Sequence, residues 1–450
     1  MSKQRIQLSD HFTYFRLLRF VLPCIGTTLF TSIYGIVDGL CVSNFVGKTA
    51  FAAVNLIMPL PMLLGTIGFM LGTGGSAIVG ITLGEGDQKK ADRYFTLFLL
   101  AALVSVSVLA VLGIVFLRPI AVLLGAKGEL LDYAVRYGRI LMVSLPTFAL
   151  QNMFQSFFVT AEKPHLGFWF TVGAGCTNMV LDVLMVGVWG WGVEGAAIAT
   201  FISQLVGGVL PVFYFIDRSN SSRLHLCKTS FYSKVLRDAC INGSSELMTN
   251  LSMSLVNILY NYQLLRLAGE NGVAAYGVIM YAAFLFVAVF VGYAVGSAPI
   301  VSYHYGANNR KEVNNLYRKS LKLIGVVAVG MTIGSMFIIP HVARFFVGYD
   351  ENLLILTTRA FRLYGLSFLI MGFNVYASSF FTALGDGVTS ALISFLRTLL
   401  FQVAAVLLLP LLLGIDGIWL AVTAAELAAL LVSIGLFITR DQQFHYRKAE

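Results

Sequence analysis

Apolar segments long enough to cross the roughly 30 Å hydrocarbon core of a bilayer recur along this chain of 450 residues, separated by short clusters of Gly, Pro, Asn and charge. They fall near 17–43, 53–83, 94–117, 136–160, 166–188, 195–216, 235–265, 273–304, 316–339, 357–383, 388–412 and 416–438. In lipid every backbone N–H and C=O must be satisfied internally, so twelve such segments predict an all-α polytopic membrane protein with 12 transmembrane helices. Only 12% of residues are charged, against roughly 25% in soluble domains. Several segments exceed the roughly 20 residues needed, which predicts tilt or ends reaching past the bilayer. The start, MSKQRIQLSDHFTYFRLLRF, lacks a small-residue cleavage site after a short apolar run and reads as a retained first span.

Orientation follows from Lys and Arg. With the N-terminus inside, 21 of them fall in inside segments and nine outside, with Arg397 left within a span, so both termini are expected in the cytoplasm. The net charge of +9 is then explained by anionic lipid headgroups and calls for no nucleic acid. Cys24, Cys41, Cys176, Cys227 and Cys240 form no CxxC pair and no metal-like spacing with the six histidines, so reduced thiols are expected, buried as small hydrophobes within spans.

The chain is written twice. A shift of 222 residues brings FVGKTAFAAV at Phe45 onto LAGENGVAAY at Leu267, and GGSAIVGITLGEGDQKK onto GSAPIVSYHYGANNRKE. Within one residue, the same shift aligns FFVTAEKP at Phe157 with FFTALGDG at Phe380, and WGVEGAA at Trp191 with LGIDGIW at Leu413. Each copy holds six spans, an even number, so the two are parallel six-helix repeats. The expected lobes are 1–216 and 235–450, joined by the polar linker 217–234. Two such lobes around a central path predict alternating access, one rocking against the other.

Charged groups within spans cost at least about 2.5 kcal/mol, so they line water or pair. Asp38, Asp182, Glu246, Glu426 and Arg397 lie within the predicted spans, and each of the last three is explained structurally by polar neighbours. Asp38 and Asp182 each fall about six residues before the outer end of an outward-running span; Thr200 falls about five residues into the inward-running sixth. At 1.5 Å per residue all three lie roughly 8 to 9 Å below the outer boundary. Asn178 shares the helix face of Asp182. Two carboxylates, an amide and a hydroxyl at one level suit a bound cation: a proton shared by a coupled acid pair, or Na⁺ held by hard oxygen ligands from Asp38, Asn178, Asp182 and Thr200. A buried network that only joins helices is the competing interpretation. In the second copy the matching positions are Tyr260 and Ala404, so the acid pair belongs to one lobe.

The two parallel repeats, LPCIGTTLFTSIYGIVDG, the GEGD and GANN turns, and WGWGVEGAA resemble the multidrug and toxic compound extrusion (MATE) family over essentially the whole chain. NGSSELMTNLSMSLVNILYN and AYGVIMY are similar to MepA-like members of its DinF-like branch. The resemblance implies a MATE-like fold and secondary active efflux of amphipathic organic cations or drugs, in exchange for H⁺ or Na⁺, by a plasma-membrane monomer with no other cofactor. It places the coupling cation in the first lobe, at Asp38, Asn178, Asp182 and Thr200, with Tyr137 and Asn152 of the fourth span and a helix-kinking proline at Pro23. The NorM-like branch keeps coupling acids in the second lobe, where Glu246 is not a clean match; Glu246, with Asn257 and Tyr260, is assigned instead to the substrate path.

Three other readings compete. A lipid-linked precursor flippase shares the broader superfamily, typically with additional spans. A major-facilitator transporter also has parallel six-span repeats, but its basic loop after the second span differs from GEGDQKK. GEGD also matches the GxGD string of intramembrane aspartyl proteases, yet Asp87 sits in a charged turn, its repeat partner is Asn309, and acid/base catalysis needs two carboxylates within reach of one substrate. An enzyme is therefore not expected.

Overall fold

The computed structural model describes residues 6–45, 48–348 and 350–446, with the side chains at 36, 38–45, 48 and 51 outside that description. The described residues are nearly all helical, and no strand occurs among them. The first lobe comprises α1 (Tyr14–Phe45), α2 (Lys48–Ile57), α3 (Pro59–Gly84), α4 (Gln88–Leu123), α5 (Glu129–Thr160), α6 (Pro164–Asp182), α7 (Gly192–Gln204) and α8 (Leu210–Ile216). Widened π-helical turns at Val183–Val188 and Leu205–Val209 extend α6 and join α7 to α8. The second lobe comprises α9 (Ser233–Asn242), α10 (Ser244–Gly306), α11 (Arg310–Val347), α12 (Glu351–Gly365), α13 (Phe368–Ala383), α14 (Gly387–Phe395), α15 (Phe401–Leu413) and α16 (Ile415–Phe444), with a third widened turn, Leu396–Leu400, between α14 and α15.

Nine helices among the described residues are long and apolar enough to cross a membrane, and the pair α12 and α13, bent by 46°, makes a tenth. Gly269 divides α10 in two, because its φ of 63° and ψ of −152° break the helix. It corresponds to position 47 in the first copy, between α1 and α2. The twelfth span is α5. Acids and arginines crowd its first turns and Gln151, Asn152 and Gln155 lie inside it, yet it is buried along most of 134–160. A span wrapped by protein need not be apolar to lipid.

The duplication extends to backbone detail. Asp87 caps α4 by accepting from the Lys90 N–H at 3.0 Å, and Asn309 caps α11 by accepting from the Glu312 N–H at 3.1 Å. Gly86 and its counterpart Asn308 both take positive φ, as do Glu162 and Gly385. Asp87 thus works as a helix cap, which removes the protease-like interpretation of GEGD.

These turns gather on one face, here called the terminal face, together with residues 8–12 and 444–446. Close approaches between the lobes, marked by glycines, lie in the helix halves nearest it. A Cβ at Gly84 or Gly306 would collide with the facing backbone of α10 or α3, and one at Gly292 would meet Ile25 and Thr28 of α1. The Thr28 hydroxyl donates to the Ala288 carbonyl across the lobes at 2.6 Å.

Ahead of α1, Leu8 and Phe12 are fully buried in an aromatic core with Phe380, Phe381, Phe437 and Tyr446 of the second lobe. Burial stabilises such side chains by roughly 1.5–3 kcal/mol each. The linker lies along α4: Asp92 accepts from the His225 N–H, Thr96 from the Cys227 N–H, and Leu224 is buried. Two hydrogen bonds from Ser219, by its hydroxyl and its N–H, hold the Asp217 carboxyl below the usual carboxylate range. Cys24 is buried as expected of a small hydrophobe, whereas Cys176 is exposed on the outer side of α6; Cys41 falls outside the described side chains.

A candidate cation site in the first lobe

The α6–α7 hairpin sets the geometry. Its turn is closed by the Trp189 N–H donating to Leu184 and the Trp191 N–H donating to Met185, with Gly190 and Gly192 at positive φ. A Cβ at Gly195 would sit 3.1 Å from Met185, and one at Gly173 would sit 3.8 Å from Val206. Facing positions in this antiparallel pair therefore sum to about 380, which brings Thr200 level with position 180, between Asn178 and Asp182.

Parallel packing of α1 on α6 supplies the other side. Gly26 faces Phe168 at 3.0 Å, while Gly175 faces Phe30 at 2.5 Å and Tyr34 at 3.2 Å. Carrying that register one turn further brings the backbone of position 38 level with about 180. The Asp38 side chain itself lies outside the described residues.

Asp182 is fully buried and Asn178 nearly so. The Asn178 Nδ2 has no hydrogen-bond partner among the described residues, so this amide keeps unused bonding capacity. Thr200 is half-buried; its hydroxyl donates to the Ala196 carbonyl at 3.0 Å, which leaves its oxygen lone pairs available. Directly after Asp182 the helix widens into its π-turn, a distortion often found at functional sites. Among the described residues no group of three or more His, Cys, Asp or Glu is placed to hold a metal ion. The donors at this level are carboxylate, amide and hydroxyl oxygens, which suit a proton or a hard monovalent cation better than a transition metal.

Tyr137 shares an apolar cluster with Val186, Val193 and Ala196 just above this level, its hydroxyl 3.8 Å from the Met58 sulfur. Asn152 lies 15 residues further along α5, roughly 22 Å down the helix axis, and its Nδ2 is buried without a partner among the described residues. The two are therefore not brought to one level. Pro23 lies within the continuous α1, its carbonyl accepting from the Thr27 hydroxyl at 2.9 Å. In the second lobe, Glu246 is in the first turn of α10, Asn257 is exposed, and Tyr260 is buried with its ring stacked on Tyr276 at 5.1 Å. These three spread over roughly 21 Å of helix.

Two polar constellations escaped the reading of the sequence. One, at the terminal face, joins Glu162, Arg223 and Glu312. The signal for it was the alignment of Glu162 with Gly385: an acid at a turn position where the copy has glycine. The other is a buried network around Glu426, whose members are far apart in sequence.

The MatE family model matches residues 23–184 and 247–407, one segment in each lobe. The multidrug export protein MepA of Staphylococcus aureus (strain MSSA476) is 22% identical over 436 residues, covering 95% of this chain and 94% of that protein. MepA of Staphylococcus saprophyticus is 21% identical over 429 residues, with the same coverage. Among solved structures, a MATE in complex with MaL6 has a TM-score of 0.92 at 22% identity, covering 99% of this chain and 100% of its own. An outward-facing conformation of a multidrug resistance MATE family transporter of the MOP superfamily also has a TM-score of 0.92 at 22% identity, covering 99% of both chains. These structural likenesses establish the fold.

Proposed function

The chain belongs to the MatE family of multi-pass membrane transporters, and from that premise we propose that it is a secondary active multidrug exporter driven by cation antiport. The observation that carries this reading is the level shared by Asn178, Asp182, Thr200 and the backbone of position 38 in the first lobe, where the second copy has Tyr260 and Ala404. Amphipathic organic cations enter between the lobes from the cytoplasm or inner leaflet of the plasma membrane. A proton or Na⁺ arriving from outside occupies the Asp38 and Asp182 level and favours the arrangement that releases the drug outward. The ion must bind the two arrangements with different affinity, otherwise nothing is coupled. One charge crossing 100 mV contributes about 2.3 kcal/mol, and a tenfold ion gradient about 1.4 more. Drug export as the activity follows the names of the MepA relatives, and the preference for cations rests on the complementary charge of the carboxylates at this level. Both termini are cytoplasmic in this reading, and a single chain suffices.

Transport of a cationic dye in proteoliposomes, under a pH gradient alone and then a Na⁺ gradient alone, tests it. Uphill dye movement under one of the two is expected. Movement under neither, with equilibration of dye down its own gradient, would remove antiport.

A further inference from the structure

The second lobe buries a carboxylate of its own. Glu426 on α16 is fully inaccessible, and both of its oxygens are engaged: Oε1 accepts from Arg397 Nε at 2.7 Å and Oε2 from Asn374 Nδ2 at 2.8 Å. The Asn374 amide is oriented in turn, since its Oδ1 accepts from the Ser433 hydroxyl at 3.1 Å. Arg397 projects from the widened Leu396–Leu400 turn, and among the described residues Tyr364 of α12 also interacts electrostatically with the carboxylate.

The duplication shows what this network replaces. In the register set by Phe157 and Phe380, Asn374 corresponds to Gln151; Glu426 corresponds to Gln204 at the offset of 222, and Arg397 falls at the apolar pair Ala174 and Gly175. In the first lobe the equivalent level is neutral: Gln151 packs against Gly207, and Gln204 Oε1 is buried without a partner among the described residues. One copy thus carries an amide and an acid further out, Asn178 and Asp182; the other carries an acid paired with a base.

We propose that Arg397 is a tethered cation that permanently occupies the second lobe's buried carboxylate, so that Glu426 takes no part in ion exchange and coupling is confined to the first lobe. A guanidinium cannot be deprotonated in a protein, and its covalent stem holds it beside the carboxylate at a high effective concentration. A proton or Na⁺ could enter only by expelling a charge that has nowhere else to go in a dry interior. Arg397 then sets how many ions a cycle carries. The proposal rests on the coupling reading above, so its test measures carboxyl protonation directly and needs no transport.

Acid-induced infrared difference spectra of the full-length protein in liposomes resolve the C=O stretch of each newly protonated carboxyl group. The wild-type carboxyl bands are expected to persist unchanged in R397Q/E426Q, which replaces the pair by two amides. R397Q alone is expected to gain a band that the added E426Q removes. A wild-type band missing from R397Q/E426Q would overturn the proposal, as would a folded R397Q protein with no new band. Should R397Q fail to fold, the comparison of wild type with R397Q/E426Q still decides. Failure of the coupling reading would show separately, as bands indifferent to Asp38→Asn and Asp182→Asn.

Discussion

Glu162 of the first lobe and Glu312 of the second hold the two ends of one short stretch of backbone: Glu162 Oε1 accepts from the Leu8 N–H at 2.9 Å, and Glu312 Oε1 accepts from the Phe12 N–H at 2.9 Å. Each acid binds more besides. Arg223 of the linker donates to Glu162 at 2.6 Å while its guanidinium lies 5.0 Å from the ring centre of Tyr303 on α10, and His11 meets Glu312 at 2.6 Å. The N-terminal segment and the linker therefore bind both lobes across the terminal face. Opening that face requires these contacts to part.

Glu162→Gln should loosen this strap. The change removes the charge from two hydrogen bonds, each worth about 1.5–3 kcal/mol when charged. Glu162 also holds a φ of 61°, unusual for a residue with a side chain, so the same change weakens the contacts that offset that backbone strain. Electron–electron resonance distances between spin labels at Lys89 and Lys311 should broaden towards a separated population, enlarged by about tenfold or more. A distribution identical to wild type would show that the strap does not hold the lobes together.

Gly84→Ala should act in the same direction by steric means. The new methyl would collide with the Tyr303 carbonyl and the Ala307 nitrogen, both backbone atoms that cannot rotate away. The clash lies between lobes rather than within one, so the lobes should part at the terminal face while each keeps its fold. Gly435→Ala, where no atom lies within 4 Å, is the matched control and should leave the distances unchanged. Equal behaviour of the two variants would refute the close inter-lobe approach.

The spans, the duplication and the turns were legible because each is a local or periodic signal: apolar length, a fixed offset, a glycine or an Asx cap. The level of Thr200 followed from counting residues in from a turn. What escaped were contacts between residues with no local reason to meet. Leu8 and Phe12 sit in a polar-looking segment, yet they complete an aromatic core built by residues 380–446. The Arg397 and Glu426 pair was left as two isolated charges, because sequence spacing says nothing about which faces of α14–α15 and α16 meet. Tyr260, the position matching Asp38 in the second copy, stacks in the apolar interior against Tyr276, a partner that its spacing does not announce.

Membrane orientation is open to direct labelling. In a background lacking the native cysteines, a cysteine at Lys127, in the exposed turn between α4 and α5, should react with an impermeant thiol reagent added outside whole cells. One at Lys311, exposed on the terminal face, should react only after permeabilisation. The opposite pattern would reverse the orientation and place the candidate cation level at the inner side.

The two first-lobe aspartates give the sharpest test of coupling. Asp182→Asn keeps the size of a fully buried side chain but removes its titratable charge, and Asp38→Asn removes a titratable charge from α1. If the acids only join helices, each amide should be tolerated or even stabilising, since a buried neutral group avoids the desolvation cost of a carboxylate. If they carry the coupling ion, each variant should fold and bind a cationic dye but lose uphill efflux by at least about a hundredfold, the factor that corresponds to the roughly 2.7 kcal/mol of two decades of ion gradient. Dye binding and gradient-driven transport must be measured on the same purified protein, so that a folding defect is separated from an uncoupled cycle. Wild-type uphill transport by either well-folded variant would end the coupling role of that aspartate and leave it a structural residue.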